Sequence, residues 1–135
     1  MPLTDEPLED FPPLEMQPAP KKMRERDLQQ GIVDIARILG YRVAHFRAAQ
    51  TAHGWRTPVG ADGMGFPDLC IVGNGRILFR ELKVGRNVLS SEQAAWLEAL
   101  RMAGADAGVW TEHEWASGEI EAELKRGTRH QSEAA

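Results

Sequence analysis

The stretch that most constrains this chain runs from Phe66 to Lys83. It holds the pair Asn74-Gly75 between two runs of branched and aromatic residues, Leu69 to Val72 and Ile77 to Phe79. Asn-Gly best tolerates the two positive φ angles of a type I′ turn, whose twist matches that of a two-stranded hairpin. With Asn74 and Gly75 at the turn positions, counting outward sets the register. Gly73 faces Arg76, Val72 faces Ile77, Cys70 faces Phe79 and Asp68 faces Glu81. Directly opposed residues have Cβ atoms about 5 Å apart and point to the same side of the sheet. Lys83, two residues beyond Glu81, shares that side because strand side chains alternate.

The turn alone therefore gathers Asp68, Glu81 and Lys83 at the open end of the hairpin. Two like charges directly opposite destabilise a sheet, so a fold that keeps both offsets them with a cation. Lys83 by itself would make a structural ion-pair cluster. A divalent metal held by the two carboxylates, with Lys83 beside it, would make a reactive centre. Carboxylate oxygens suit Mg²⁺, which keeps several waters and takes only one or two such ligands. An ion of this kind activates water against a phosphate and steadies the leaving oxygen.

Pro67-Asp68 followed by Glu81-Leu82-Lys83 resembles the signature of the PD-(D/E)xK nuclease superfamily. The wider pattern, Gly65-Phe66-Pro67-Asp68-Leu69, then Glu81-Leu82-Lys83, then Leu89-Ser90-Ser91-Glu92-Gln93-Ala94-Ala95-Trp96-Leu97, resembles its VRR-NUC branch of small phage-type nucleases, over residues 23 to 125. The resemblance implies an α/β fold with a restriction-endonuclease-like αβββαβ core, a mixed β-sheet flanked by helices. It implies a Mg²⁺- or Mn²⁺-dependent DNA endonuclease in which Asp68, Glu81 and the backbone carbonyl of Leu82 hold the ion and Lys83 positions water. Structure-selective cutting of branched or Holliday-junction DNA by a homodimer, or nicking, would both be in keeping with that family. A non-catalytic DNA- or protein-binding module that keeps the fold is the alternative.

Around the hairpin the periodicity predicts the remaining elements. Leu28, Ile32, Ile35 and Leu39 form an apolar stripe at helical spacing from Arg24 onward, ended by Gly40. In the family pattern an acidic residue near the start of this helix approaches the metal. Glu25 is the matching position and Asp27 its competitor, although the helix dipole favours an acid there in any case. Tyr41 to Phe46 reads as a strand with His45 near its end, and residues 47 to 65 as a long irregular loop. Long loops in small domains are commonly functional. This one carries Arg47, His53, Trp55 and Arg56; Arg56 is assigned to substrate contact and Trp55 to packing.

Past Lys83, Arg86 sits in a short connection where it can meet phosphate. Ser90-Ser91-Glu92-Gln93 then reads as a capping box, with Ser90 as N-cap and Gln93 at the third helical position. In the resembled family this Ser and Gln also lie beside the active site, which adds Gln93 to the catalytic set and Ser90 to the nucleic-acid contacts. The helix it opens runs to about Ala103 on a Trp96, Leu97 and Leu100 face. Ala105 to Trp110 reads as a strand, in a parallel unit with the hairpin. Glu112 to Lys125 reads as one helix.

Composition bears on partners. The net charge of −4 is concentrated in residues 1–20, which hold five acids and no base, leaving 16 basic against 15 acidic residues, a net of +1, over the rest. That balance excludes the strongly basic footprint of a protein that clamps long DNA by charge alone, so DNA action would rely on a local patch and the metal. Six of the eight prolines fall in the first 21 residues, which read as a disordered acidic tail before a nuclease-like domain at 22–126 and a polar tail at 127–135. The single cysteine, Cys70, allows no intrachain disulfide and no cysteine zinc site, and the four histidines lack ligand spacing. With no signal-peptide pattern and no apolar run of spanning length, a cytoplasmic protein without membrane contact is expected.

Overall fold

A computed structural model describes residues 22–46, 49–51, 54–56 and 59–134; the side chains of 49–51, 54–56 and 127–134 fall outside that description. Two helices and a hairpin build the centre. Helix α1 (Glu25–Ile38) precedes strand β1 (Arg42–His45), and β4 (Leu69–Gly73) turns into β5 (Arg76–Lys83). Helix α2 (Ser91–Met102) then crosses to β6 (Asp106–Thr111), followed by α3 (Glu112–Ala116) and α4 (Glu119–Ala134). Between β1 and β4 the short strands β2 (Ala49–Thr51) and β3 (Gly54–Arg56) pair antiparallel as a separate ribbon. The main sheet has the order β1-β4-β5-β6, antiparallel across the first two pairings and parallel at β5-β6. The protein is thus mixed α/β, with a four-stranded mixed sheet flanked by helices.

The turn between β4 and β5 has the expected chemistry, with φ of 49° at Asn74 and 78° at Gly75. Its ladder pairs Gly73 with Arg76, Val72 with Ile77, Cys70 with Phe79 and Leu69 with Arg80. Alternation then sorts the two faces. Leu69, Ile71, Leu78 and Leu82 point one way and are fully buried among Leu28, Ile32 and Ala36 of α1 and Ile120 and Leu124 of α4. Burying each such side chain stabilises the fold by about 1.5–3 kcal/mol, so this face is the core. Cys70, Phe79 and Glu81 point the other way. There Phe66 packs edge-on against Phe46, Phe79 and Trp96, with ring centroids 5.0 to 5.9 Å apart, which seats α2 on that side.

Polar contacts fix the layers to one another. Asn74 donates from Nδ2 to the carbonyl of Leu39 at 2.9 Å, so the residue that makes the turn also ties the hairpin to the end of α1. The Tyr41 hydroxyl donates to the Leu124 carbonyl at 2.7 Å. Arg80, which shares the core face, is 4 % exposed and needs partners there. It donates to Asp106 Oδ1 at 2.8 Å and to Glu123 Oε1 at 2.6 Å, and lies 4.8 Å from the Trp110 ring. Trp110 Nε1 donates to the other oxygen of Glu123 at 3.1 Å.

Four sequence expectations need correction. The buried stripe of α1 is Leu28, Ile32, Val33 and Ala36, while Ile35 and Leu39 lie at its edge. The helix therefore presents a face turned slightly from the one its largest side chains define. The loop expected over residues 47–65 contains the β2–β3 ribbon, whose three-residue strands are too short to leave an alternation pattern. The last helix is two helices, α3 and α4, parted at Ser117-Gly118, where Gly118 takes φ +84° and the Ser117 and Gly118 N–H groups donate to the His113 and Trp115 carbonyls. Backbone of the segment expected as a polar tail from 127 stays helical to Ala134. The disorder expected for residues 1–21 lies outside the described residues.

Candidate active site

The carboxylates of Asp68 and Glu81 meet where β4 opens into its preceding loop. The register that pairs Leu69 with Arg80 carries these two residues face to face one step further on. Asp68 Oδ2 accepts from the backbone N–H of Leu82 at 2.8 Å, which anchors the first carboxylate to the strand that carries the second. Glu81 is 2 % exposed. Its Oε2 accepts from Gln93 Nε2 at 3.0 Å and lies 3.5 Å from Lys83 Nζ. Among the described residues its buried Oε1 has no N–H or hydroxyl donor, and its carboxyl shares a hydrogen bond with that of Asp68.

Burial is the main reason the Glu81 carboxyl is pushed up to about 8, and the negative charge of Asp68 adds to it while Lys83 pulls the other way. Asp68 is raised too, again by burial first, but the Leu82 N–H favours its ionised form. The proton of the pair therefore rests on Glu81. Glu25, the first residue of α1, is raised by burial and then by Asp68, with Lys83 lowering it. Glu25 thus lies within the electrostatic field of the pair. Asp27 instead accepts from the backbone N–H of Arg24 at 3.4 Å and caps its own helix.

Gln93 does two things at once. Its Oε1 accepts from the Ser90 N–H at 2.9 Å, and Ser90 Oγ accepts from the Gln93 N–H at 3.2 Å, closing the capping box. With that end of the amide committed as acceptor, the NH₂ is the end left to face Glu81. Gly65 brings the third segment in. At φ +87°, it lies so near the start of α2 that a Cβ there would stand 2.6 Å from Glu92 C and 2.8 Å from Gln93 N. The backbone entering Asp68 thus rests directly on the helix turn that carries Gln93.

The expected nucleic-acid contacts fare differently. Ser90 is exposed at the cap of α2 beside Gln93. Arg86 is exposed in the β5–α2 connection, which is held by Glu112 Oε2 accepting from the Gly85 N–H at 2.7 Å. Arg47 and the side chain of Arg56 lie outside the described residues. His45 is exposed, with Nδ1 3.4 Å from Gln29 Nε2. Sequence reasoning missed Gly65 and Glu112. The first has a signal in its position just before Pro67-Asp68; the second, 27 residues from its partner, has none.

Among the described residues no three His, Cys, Asp or Glu side chains are grouped tightly enough to hold an ion alone. An ion here would take the Asp68 and Glu81 carboxylates and complete its shell from backbone carbonyl and water, which is how Mg²⁺ is usually held. The Glu81 carboxyl, buried beside a second carboxylate, fits that donor set. No family model matches the chain, and no curated protein matches it.

Proposed function

We propose that this protein is a metal-dependent endonuclease that hydrolyses phosphodiester bonds in DNA, of the PD-(D/E)xK type and its VRR-NUC branch. The observation that carries the reading is the buried Glu81 carboxyl set directly opposite Asp68, two acids that burial raises together, with Lys83 as the cation beside them. Two buried carboxyls facing each other are costly when both ionise, and a divalent cation offsets that cost more fully than one lysine. The order of elements also supports it: a helix, three antiparallel strands counting β1, β4 and β5, a helix and a parallel strand correspond to an αβββαβ core.

Asp68 and Glu81 would hold Mg²⁺ or Mn²⁺ in this reading, with the Leu82 carbonyl as a third ligand and Glu25 acting directly or through water. The ion supplies Lewis-acid polarisation of the phosphate and lowers the pKa of water. Lys83, on the same face as both carboxylates, orients the attacking water and stabilises charge growing on the phosphate oxygens. Gln93 fixes the rotamer of Glu81 through its capped amide. Arg86 and Ser90 bind the phosphate backbone beside the site, with Arg47 and Arg56 as further candidates. We place the protein in the cytoplasm, with branched or nicked DNA as substrate and a homodimer as its working form. No helix among the described residues is long and apolar enough to cross a membrane.

The second reading, a non-catalytic binding module, draws on the 3.5 Å approach of Lys83 to Glu81, which makes an ion pair without a metal. A panel of labelled duplex, single strand, flap and four-way junction, incubated with Mg²⁺, Mn²⁺ or chelator, separates the two. Cutting that needs metal and disappears in both Glu81→Ala and Lys83→Ala is the expected result. A folded wild type that cuts nothing, while both variants bind DNA as it does, establishes the module instead.

A further inference from the structure

A cleft beside the carboxylates has no role in the chemistry described so far. It has a volume of about 290 Å³ and is lined by Asp62, Met64, Glu92, Ala95, Trp96 and Ala99. Helix α2 supplies one wall, where the small Ala95 and Ala99 lie beside the half-buried Trp96 ring. The loop over 59–65 supplies the other, pinned in place because Trp96 Nε1 donates to the Asp62 carbonyl at 2.9 Å. Met64, 63 % exposed, also lines it.

We propose that this cleft is a nucleobase pocket, holding one unstacked base of the strand whose phosphate lies at the Asp68, Glu81 and Lys83 edge. This inference rests on the nuclease reading and names the substrate class of the same site. Three observations choose a base over other occupants. The volume lies at the lower bound of small-molecule sites, roughly 300–1,000 Å³, which suits one planar ring system and is too small for a helix or strand. The floor is an indole with apolar neighbours, the surface on which unpaired bases stack. Two of its lining residues, Asp62 and Glu92, are exposed acids. Carboxylates accept from the amino and ring N–H groups of bases and repel phosphate, so a strand enters base inward.

The placement fits one strand bridging both sites. Glu92 precedes Gln93, which bonds Glu81 at 3.0 Å, and Asp62 and Met64 precede Gly65, which leads within three residues to Asp68. Pocket and carboxylates are built from the same two segments of chain. A base in a continuous duplex must first be unstacked and unpaired at a cost of a few kcal/mol, so the pocket favours DNA with a base already unpaired next to the scissile phosphate: a single strand, a flap or a junction.

The test uses the full chain and Ala99→Phe, which fills the cleft from an exposed helix position, with Glu92→Gln as a second, milder variant. Oligonucleotides carrying 2-aminopurine, single-stranded or duplex, are titrated in Ca²⁺, and the Trp96 indole N–H is followed by NMR. The expected result is quenching and an indole shift with single strand only, with binding weakened about tenfold in Ala99→Phe, within the range that one stacked base contributes. In Mg²⁺, Ala99→Phe should raise KM for a flap while leaving cleavage of the same strand with abasic sites unchanged. Wild-type affinity in Ala99→Phe with cleavage intact overturns the pocket but not the nuclease. No cleavage of any substrate by wild type overturns the nuclease reading, and an indole shift with single strand alone then decides the pocket separately. A nucleoside monophosphate that competes as well as the strand, or a dimer that Ala99→Phe converts to monomer without loss of DNA affinity, reassigns the cleft and also overturns the proposal.

Discussion

Gln93 donates its side-chain amide to Glu81 at 3.0 Å while the oxygen of that amide accepts from the N-cap of its own helix at 2.9 Å. One side chain is thus shared between helix start and buried carboxylate, and substitutions can separate the two uses. Gln93→Glu retains the capping box, which accepts Glu as readily as Gln. It also turns a donor into an anion against Glu81. Cleavage should fall at least tenfold while the melting temperature in saturating Mg²⁺ stays within a few degrees of wild type. Gln93→Ala should lose about 1 kcal/mol of stability as well, the usual cost of a lost cap, read from urea titration.

The buried pair makes metal-free stability depend on pH. Glu81 holds its proton up to about 8 in the folded protein against an ordinary 4.5, so between these values the folded state binds more protons than the unfolded. Stability from this group is complete below 4.5 and is lost as pH rises through about 8, and Asp68, raised as well, acts in the same direction. In chelator the melting temperature should fall as pH goes from 5 to 9. Glu81→Gln, neutral throughout, should flatten that slope and melt higher than wild type at pH 9. Mg²⁺ should restore the wild type and leave Glu81→Gln unchanged. A flat profile for chelated wild type would contradict the assignment of the proton to Glu81.

Arg80 ties three elements together from a buried position on β5. Its guanidinium joins Asp106 of β6 and Glu123 of α4 beneath the strand that carries Glu81. Burial alone would raise the Asp106 carboxyl, yet Arg80 and Arg76 outweigh it and hold the group below its ordinary range. Removing one member of a buried pair leaves the others uncompensated, at a cost of about 3 kcal/mol. Arg80→Ala should lose roughly that amount by denaturant unfolding. Arg76→Ala, whose partner Asp106 is 44 % exposed, should lose less than half as much.

Gly65→Ala tests the seat of the Asp68 segment on α2. A left-handed backbone costs a residue with a Cβ about 1–2 kcal/mol, and here the Cβ also meets main-chain atoms that cannot swing aside. A loss of at least 2 kcal/mol is expected, together with loss of the Gln93–Glu81 hydrogen bond. The NMR signals of the Gln93 side-chain amide should shift accordingly. Gly60→Ala, with nothing within 4 Å of its Cβ, should be near neutral in the same assays.

Local chemistry alone determined a large part of this protein. The opposition of Asp68 and Glu81 was legible because an Asn-Gly turn dictates its own φ angles and pairing then propagates two residues at a time. The cap on α2 was legible because Ser90 and Gln93 lie within one turn. Tertiary structure decided the rest. Nothing near Glu81 in the chain says that it is 2 % exposed, with no N–H or hydroxyl donor to one oxygen among the described residues; that follows from α2 closing over the hairpin. Arg80 looks like any charged strand residue until Asp106 and Glu123, 26 and 43 residues away, are folded against it. The break at Ser117-Gly118, by contrast, is local: Gly118 at φ +84° ends the helix where apolar periodicity alone would continue it. Turn angles and caps depend on neighbours in sequence; burial and its pKa consequences depend on which surfaces meet, and that is set only when the layers pack.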